Sequence, residues 1–520
     1  MAADAQDQVF RFLADPETHG LAEPVKRVDT ANAAVFLAGP HVYKVKRAVK
    51  YPFMDLSSLE NRRRACEAEV EVNRGNAPSL YLEALPIVRE GGSLKLGGKG
   101  EIVEWTTRMR RFDENATLDR LAEREGISDP LADRLALAIR AAHARAPQRD
   151  AVRAANELET YIEQNDAAFA ERPVLFPPAA ARRLTQDARA AFAIARPILL
   201  TRGRQGLVRR GHGDLHLRNI VLLDGAPTLF DAVEFSDDVA SGDVLYDLAF
   251  LIMDLELREL RAAANRLMNR YLGPEPPEAM AGLAALPLFM SARAAIRAKV
   301  EAAGADRVEG QRREEALSLA RRYFERAIDF LRYAPPRLVA VGGLSGTGKS
   351  ALAAELAPRL GRAPGALWAR SDVERKAMLG CEETARLPDS AYRPEVTREV
   401  YRHIVDKARQ ALAAGQAVVL DAMFATAPER RAAALAAAET GVAFAGLFLE
   451  ASLETRLARI AARAHDASDA DAAVARRQRA EPIAERGWSA LDADGALEQT
   501  AAAALARLDS RRVTQNPPRS

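Results

Sequence analysis

Residues 210–220 read Arg210-Gly211-His212-Gly213-Asp214-Leu215-His216-Leu217-Arg218-Asn219-Ile220. Apolar segments flank them, Gly206-Leu207-Val208 before and Ile220-Val221-Leu222-Leu223 after, so the stretch predicts a strand, a tight loop and a second strand. The loop offers an aspartate and, five residues on, an asparagine. Thr228-Leu229-Phe230-Asp231 predicts a further strand that ends in a carboxylate. Phosphoryl transfer from a nucleotide needs these residue types. A carboxylate, Asp214, would orient or deprotonate the acceptor hydroxyl, and oxygen ligands, Asn219 and Asp231, would hold magnesium against the phosphates. His-Gly-Asp alone also reads as an Asx-capped turn; Asn219 and Asp231 in register favour the chemical reading.

Composition bounds the rest. A chain of 520 residues accommodates two to four domains. Its 48% hydrophobic and 28% charged residues are ordinary for a globular protein. Lys+Arg number 74 against 72 Asp+Glu, with no long run of like charge, which argues against a dedicated nucleic-acid surface. Cys66 and Cys381 stand in no CxxC or metal-ligand spacing and fit a reducing compartment. The start, Met1 to Asp7, is polar and acidic, and no apolar run of membrane-spanning length is evident, so a cytoplasmic location without a membrane partner is expected.

The spacing of Asp214, Asn219 and Asp231 is similar to the catalytic loop and metal-binding strand of the protein-kinase superfamily. The His-Gly-Asp form resembles the aminoglycoside phosphotransferase branch, with its choline-kinase and fructosamine-kinase relatives. That resemblance implies a small lobe upstream. A short helix over Gln8–Ala14 is followed by strands at Val25–Val28, Ala34–Leu37 and, past Gly39-Pro40, His41–Lys46. Lys44 and Lys46 point to one face. A lysine there would neutralise the α- and β-phosphates; Lys44 is preferred and Lys46 is the reserve, against an edge strand merely blunted by lysines. The helix predicted over Ser58–Gly75 offers Glu69, or alternatively Glu67, as the lysine's partner.

Other positions follow from the same resemblance. Met109–Phe112 marks the hinge, by position only. No G-x-G-x-x-G covers the phosphates at Asp29–Ala33, and the segment after Asp231 is short; both favour a small acceptor over a protein. Asp247, opening the apolar helix Leu248–Met253, is implied to hold the catalytic loop. His216 fits either a phosphate donor or a loop brace, and His143, alone on a helix, reads as packing. Leu118 to about Ala195 and residues 256–333 predict helices.

A second nucleotide motif follows. Tyr333-Ala334-Pro335-Pro336 predicts a stiff linker, and Arg337-Leu338-Val339-Ala340-Val341 a buried strand. Then comes Gly343-Leu344-Ser345-Gly346-Thr347-Gly348-Lys349-Ser350, a full G-x-x-x-x-G-K-S loop, and the helix Ala351–Leu356. Its amides would cradle phosphate, Lys349 would reach the terminal phosphates and Ser350 would ligate magnesium. Ala417–Ala422 predicts a strand that puts Asp421 in the Walker-B position.

Trp368–Lys376 resembles the acceptor side of shikimate-, gluconate- and chloramphenicol-kinase-like proteins and zeta toxins. The resemblance implies that Asp372 is the base or acceptor-orienting carboxylate and that Arg375 binds substrate; Asp372 also reads as a helix N-cap. Arg459 and Arg463 share a helix face and are candidate catalytic lid arginines, with solvated helix charge as the other reading. His465–Ala470 resembles the lid tip.

The order of the two parts resembles bacterial fusion proteins described as bifunctional aminoglycoside phosphotransferase and ATP-binding proteins, including AAA-type ATPases. It implies α/β and α+β architecture. A bilobal protein-kinase-like domain would span 1–332 (small lobe about 20–108, large lobe about 113–332). A linker at 333–336, a parallel α/β P-loop NTPase domain at 337–510 and a disordered tail at 511–520 would follow. The implied activity is transfer of the γ-phosphoryl group of ATP, or GTP, with Mg2+, to a hydroxyl of a small molecule: a sugar, an aminoglycoside or a related metabolite. The alternatives are a kinase-like domain regulated by a P-loop switch module, or a P-loop kinase acting on nucleic-acid ends.

Overall fold

The computed structural model describes residues 2–51, 54–462 and 467–515. The chain divides into two compact units, Met1–Tyr161 with Leu199–Asp254, and Ile162–Ile198 with Leu255–Ser520.

The first unit carries a six-stranded antiparallel sheet of β1 (Lys26–Asp29), β2 (Ala33–Ala38), β3 (His41–Lys46), β4 (Tyr81–Glu90), β5 (Ser93–Leu96) and β6 (Glu101–Arg110), in the order β1-β2-β3-β6-β4-β5. One sheet face packs Phe36, Tyr43, Val45 and Ile87 with Val9, Phe10 and Leu13 of helix α1 (Ala2–Ala14). Each such buried side chain contributes about 1.5–3 kcal/mol. Helix α2 (Leu59–Arg74) starts where Ser58 Oγ accepts the Asn61 N–H at 3.1 Å. Helix α3 (Asp129–Arg145) follows later in the chain. Strand β7 (Val208–Arg210) pairs across a gap in sequence with β10 (Ser241–Asp243) and so brackets the loop quoted above. Between them lies the hairpin of β8 (Ile220–Leu223) and β9 (Ala226–Leu229). The ladder ends at Leu229, two residues before Asp231, rather than on it. Helix α4 (Val244–Leu257) carries Asp247.

The second unit takes in Ile162–Ile198, with parts of the helices Ala151–Ala170 and Pro178–Arg204, and from Leu255 on carries α5 (Arg261–Leu272), α6 (Leu286–Ala305) and α7 (Gln311–Leu331). Residues Pro277–Ala305 are long and apolar enough, by composition alone, to cross a membrane, contrary to the sequence expectation; 78% of an apolar 18-residue stretch within them is buried in the structure. Five parallel strands follow: β11 (Arg337–Gly343), β12 (Leu367–Arg370), β13 (Val418–Asp421), β14 (Ala443–Glu450) and β15 (Trp488–Asp492), ordered β12-β13-β11-β14-β15. Near-continuous apolar strands are what a sheet covered on both faces requires. Val339, Val341, Val419 and Leu447 pack against Leu352 and Leu356 of α8 (Lys349–Leu356). Helices α9 (Ser371–Met378), α10 (Pro394–Ala413), α11 (Ala427–Glu439), α12 (Leu453–Ala461), α13 (Ala472–Arg477) and α14 (Leu497–Gln515) lie between and after these strands. The last five residues of the expected tail lie outside the described residues.

Candidate active sites

In the first unit the loop of residues 210–220 is built around Asp247. Its two carboxylate oxygens accept the N–H groups of His212 (2.8 Å) and Gly213 (2.9 Å), and His143 Nε2 lies 3.1 Å away. Gly213 has φ +81°, a left-handed conformation that side chains resist, and so suits the residue before Asp214. Asp254 Oδ2 accepts the Leu217 N–H at 3.0 Å on the far side of the loop. Burial pushes the His212 pKa down despite nearby Asp247 and Asp214. Its Nε2, 2.9 Å from the Phe230 carbonyl, ties the loop to the segment that leads into Asp231.

Asn219 Nδ2 donates to both the carbonyl and Oδ2 of Asp214, each at 3.0 Å. The amide nitrogen is thereby spent on Asp214, and the Asn219 oxygen is the atom left to meet a cation. His216 Nε2 lies 3.3 Å from Asp214 Oδ2, and its ring stands edge-on to Phe250. Asp231 sits at φ +59°, with its N–H donated to the Tyr81 hydroxyl at 3.0 Å. Asn73 of α2 clamps the next residue, accepting the Ala232 N–H at 2.7 Å.

Lys44 Nζ lies 2.6 Å from Glu69 Oε1 and 2.6 Å from Asp231 Oδ1. Burial works to lower the Lys44 pKa, but Asp231 and Glu69 outweigh it and hold the ammonium well above the ordinary lysine value. Lys46 also meets Glu69, at 3.0 Å, and pairs with Glu234. Only Lys44 joins Glu69 to Asp231. Glu67 faces Arg63 instead, at 2.9 Å. Of the residues expected to form a hinge, Arg111 and Phe112 border a cavity of about 460 Å³ with Gly39, Pro40 and Asp113–Asn115.

The second site opens at the carboxyl ends of the parallel strands, where ligands of such sheets bind. A cavity of about 830 Å³ is lined by Lys349 and Ser350 on one side and Asp372, Arg375 and Tyr392 on the other, with Asp421 among its lining residues. Gly343, Gly346 and Gly348 have φ of +140°, +86° and +95°. A Cβ on Gly346 would lie 2.5 Å from the Arg456 carbonyl, so the loop's path admits no side chain there. Arg456 Nε donates to the Ser345 carbonyl at 2.8 Å, while Gln478 accepts the Ser345 N–H at 2.9 Å and donates to its hydroxyl at 2.9 Å. Lys349 Nζ donates to the Leu344 carbonyl at 3.3 Å.

Arg370 and Asp421 are register neighbours on β12 and β13, with Arg370 Nε 3.6 Å from Asp421 Oδ2. That buried oxygen accepts no hydrogen bond among the described residues, as suits a carboxylate built to meet a hydrated cation. Burial pushes the Asp372 carboxyl up, against the lowering influence of Lys349, Arg370 and Arg375; Asp421 adds to the rise.

Arg375 and Arg459 have backbone partners as well as a place in the cavity. Arg375 lies over the Tyr392 ring, 4.8 Å from its centroid, and donates to the Ala391 carbonyl at 2.7 Å, so it braces the acceptor-side loop as well as lining the cavity. Arg459 lines the same cavity. It donates to the carbonyls of Thr347 (3.2 Å), Ala493 (2.7 Å) and Gly495 (2.8 Å). Arg463, like His465 and Asp466 of the lid tip, lies outside the described residues. Asp469 of that tip accepts the Tyr392 hydroxyl (2.6 Å) and the Leu387 N–H (3.0 Å).

Sequence reasoning missed His143, Asp254, Asn73, Arg456 and Gln478. Each is a lone polar residue whose partner is remote in the chain, and none belongs to a motif.

These geometries define a kinase-type phosphotransferase joined to a P-loop domain, and the comparisons agree. Residues 105–286 match the phosphotransferase enzyme family, and residues 338–482 match the AAA domain. The chain belongs to the family of the uncharacterized protein Rv2004c of Mycobacterium tuberculosis, with which it is 30% identical over 459 residues, 86% of this chain and 88% of that protein. Among solved structures, a choline/ethanolamine kinase family protein from Mesorhizobium loti is 16% identical, with 64% of this chain and 99% of that one covered at a TM-score of 0.37. A gluconokinase from Sinorhizobium meliloti is 22% identical, with 36% and 100% covered at a TM-score of 0.26.

Proposed function

We propose that the protein transfers the γ-phosphoryl group of ATP to a hydroxyl of a small molecule, with a nucleotide site in each unit. The observation that carries this reading is Lys44 held 2.6 Å from both Glu69 and Asp231, an arrangement that supports a lysine serving nucleotide phosphates beside a metal-binding carboxylate.

In the first site Asp214, aligned by Asn219 and His216, orients the acceptor hydroxyl and takes its proton as the new bond forms. Lys44 neutralises the α- and β-phosphates. Asn219 and Asp231 supply hard oxygens of the kind magnesium prefers. In the second site the amides of residues 343–350 and the start of α8 cradle phosphate, and Lys349 meets the terminal phosphates. Ser350 and Asp421 are the metal-facing oxygens, and Asp372 receives the acceptor's proton. Arg375 shapes the acceptor pocket. Magnesium, when bound, spreads the charge that develops between the β- and γ-phosphates. The two free thiols, buried Cys66 and exposed Cys381, suit a reducing, nucleotide-containing cytoplasm.

The test is transfer of labelled γ-phosphate to a panel of sugars and aminoglycosides, in wild type and in Asp214→Ala and Lys349→Ala separately. Each variant is expected to abolish one part of the labelling. Undiminished labelling in both sinks the assignment.

A further inference from the structure

We infer that the second site is not complete within residues 337–510: helix α5, from the helical segment before the linker, positions its acceptor side, with Asn269 and Arg270 as positioning residues. The inference rests on the reading of Asp372 and Asp421 given above, and three sets of contacts carry it.

The first is main-chain. Strand β12 is the edge of the parallel sheet, and an edge strand leaves N–H and C=O groups without ladder partners. Asn265 and Asn269 stand four apart on α5, and so on one face. Asn269 Oδ1 accepts the Trp368 N–H at 2.7 Å, and its Nδ2 donates to the Ala366 carbonyl at 3.1 Å. Asn265 Nδ2 donates to the same carbonyl at 2.9 Å. Two side-chain amides thus take the place of a sixth strand. Arg370 stands two residues, and Asp372 four residues, after Trp368.

The second is ionic. Arg270 pairs with Glu383, whose Oε1 lies 3.5 Å from Arg370 Nη1, and Arg370 Nε faces Asp421 at 3.6 Å. The third reaches α9 itself. The buried Lys407 of α10 donates to the Gly273 carbonyl at the end of α5 (2.7 Å) and pairs with Glu374 (2.6 Å). Glu374 sits between Asp372 and Arg375 in sequence, and His403 Nε2 lies 3.3 Å from its other oxygen. The strand, the guanidinium and the helix that set the acceptor side all return to α5.

The experiment uses the full chain with MgATP, water serving as acceptor, and takes the turnover lost in Lys349→Ala as the signal of this site. Asn269→Leu and Arg270→Met are expected to lower kcat of that signal by about tenfold while KM for ATP stays within about threefold, because the phosphate loop is untouched. Arg270→Lys should recover most of kcat. With Arg370 loosened, the acid limb of the pH profile should move up, since Asp372 would keep Lys349 and Arg375 but lose part of Arg370's opposition to Asp421, with Tyr392 and Tyr401 also facing it. Amide hydrogen exchange across residues 367–378 should quicken by about tenfold in Arg270→Met while residues 338–356 hold their protection. A kcat within twofold of wild type, or an equal loss of the Asp214-dependent turnover, overturns the inference. If wild type shows no Lys349-dependent turnover, the phosphotransfer reading of this site falls, and the exchange pattern alone then upholds or overturns the role of α5.

Discussion

Asp247 occupies the space that a side chain at residue 211 would need: a Cβ on Gly211 would lie 2.6 Å from Asp247 Oδ2. The glycine and the aspartate are therefore one device. The missing side chain lets the carboxylate reach the amides of His212 and Gly213 and set the loop that presents Asp214.

Removing either half should disturb the same loop. Asp247→Ala leaves two buried amides without acceptors, at about 1–3 kcal/mol each, so a loss of roughly 2–6 kcal/mol is expected in urea unfolding. Gly211→Ala should lose Asp214-dependent transfer even where the fold survives. Full activity in Gly211→Ala would show that the close contact is dispensable.

Glu69 is buried between Lys44 and Lys46. Burial alone would raise its carboxyl pKa, but the two ammonium groups outweigh it and hold the pKa below the ordinary 4.5. A lowered folded value means that the group's stabilisation is present in full above the unfolded value and disappears as pH falls through the folded one. Glu69→Gln is expected to cost about 3–5 kcal/mol at pH 7, as breaking a buried pair does. The gap from wild type should close in strong acid. An equal gap at neutral and acid pH would contradict the pairing.

Asp372 runs the other way. Its raised folded pKa makes its ionised form a cost to folding near neutrality. Asp372→Asn should therefore raise the thermal midpoint at pH 7 while lowering Lys349-dependent transfer by about 10²–10⁴-fold, the usual worth of a general base. The acid limb in wild type should stand above 3.8, the ordinary aspartate value. A midpoint that falls in the asparagine variant would count against this.

Arg459 holds three carbonyls around the phosphate loop. Arg459→Ala should raise KM for ATP by about tenfold with little change in kcat, because a loosened loop loses ground-state and transition-state binding alike. A kcat collapse at unchanged KM would instead support the lid role.

Much of this was legible because phosphate chemistry concentrates in short contiguous stretches. Asp214, Asn219 and Asp231 lie within 18 consecutive residues, and Gly343–Ser350 are unbroken. The lysine was harder. Lys44 and Lys46 share a strand face and both reach Glu69, so alternation cannot separate them; the contact with Asp231, 187 residues away, does. His143 gave no signal because its partner, Asp247, is 104 residues on. The contacts of Arg459 were not legible because helix periodicity places a guanidinium on a face without saying which carbonyls surround it.

The amides of Asn265 and Asn269 carry a practical consequence for anyone dividing the chain at its proline linker. A fragment starting at Arg337 would keep all five strands but expose the Ala366 carbonyl and the Trp368 N–H along β12. A bare strand edge is a template for pairing with other chains. Such a fragment should self-associate, and the full-length protein is spared this by two asparagines that a motif-based boundary leaves behind.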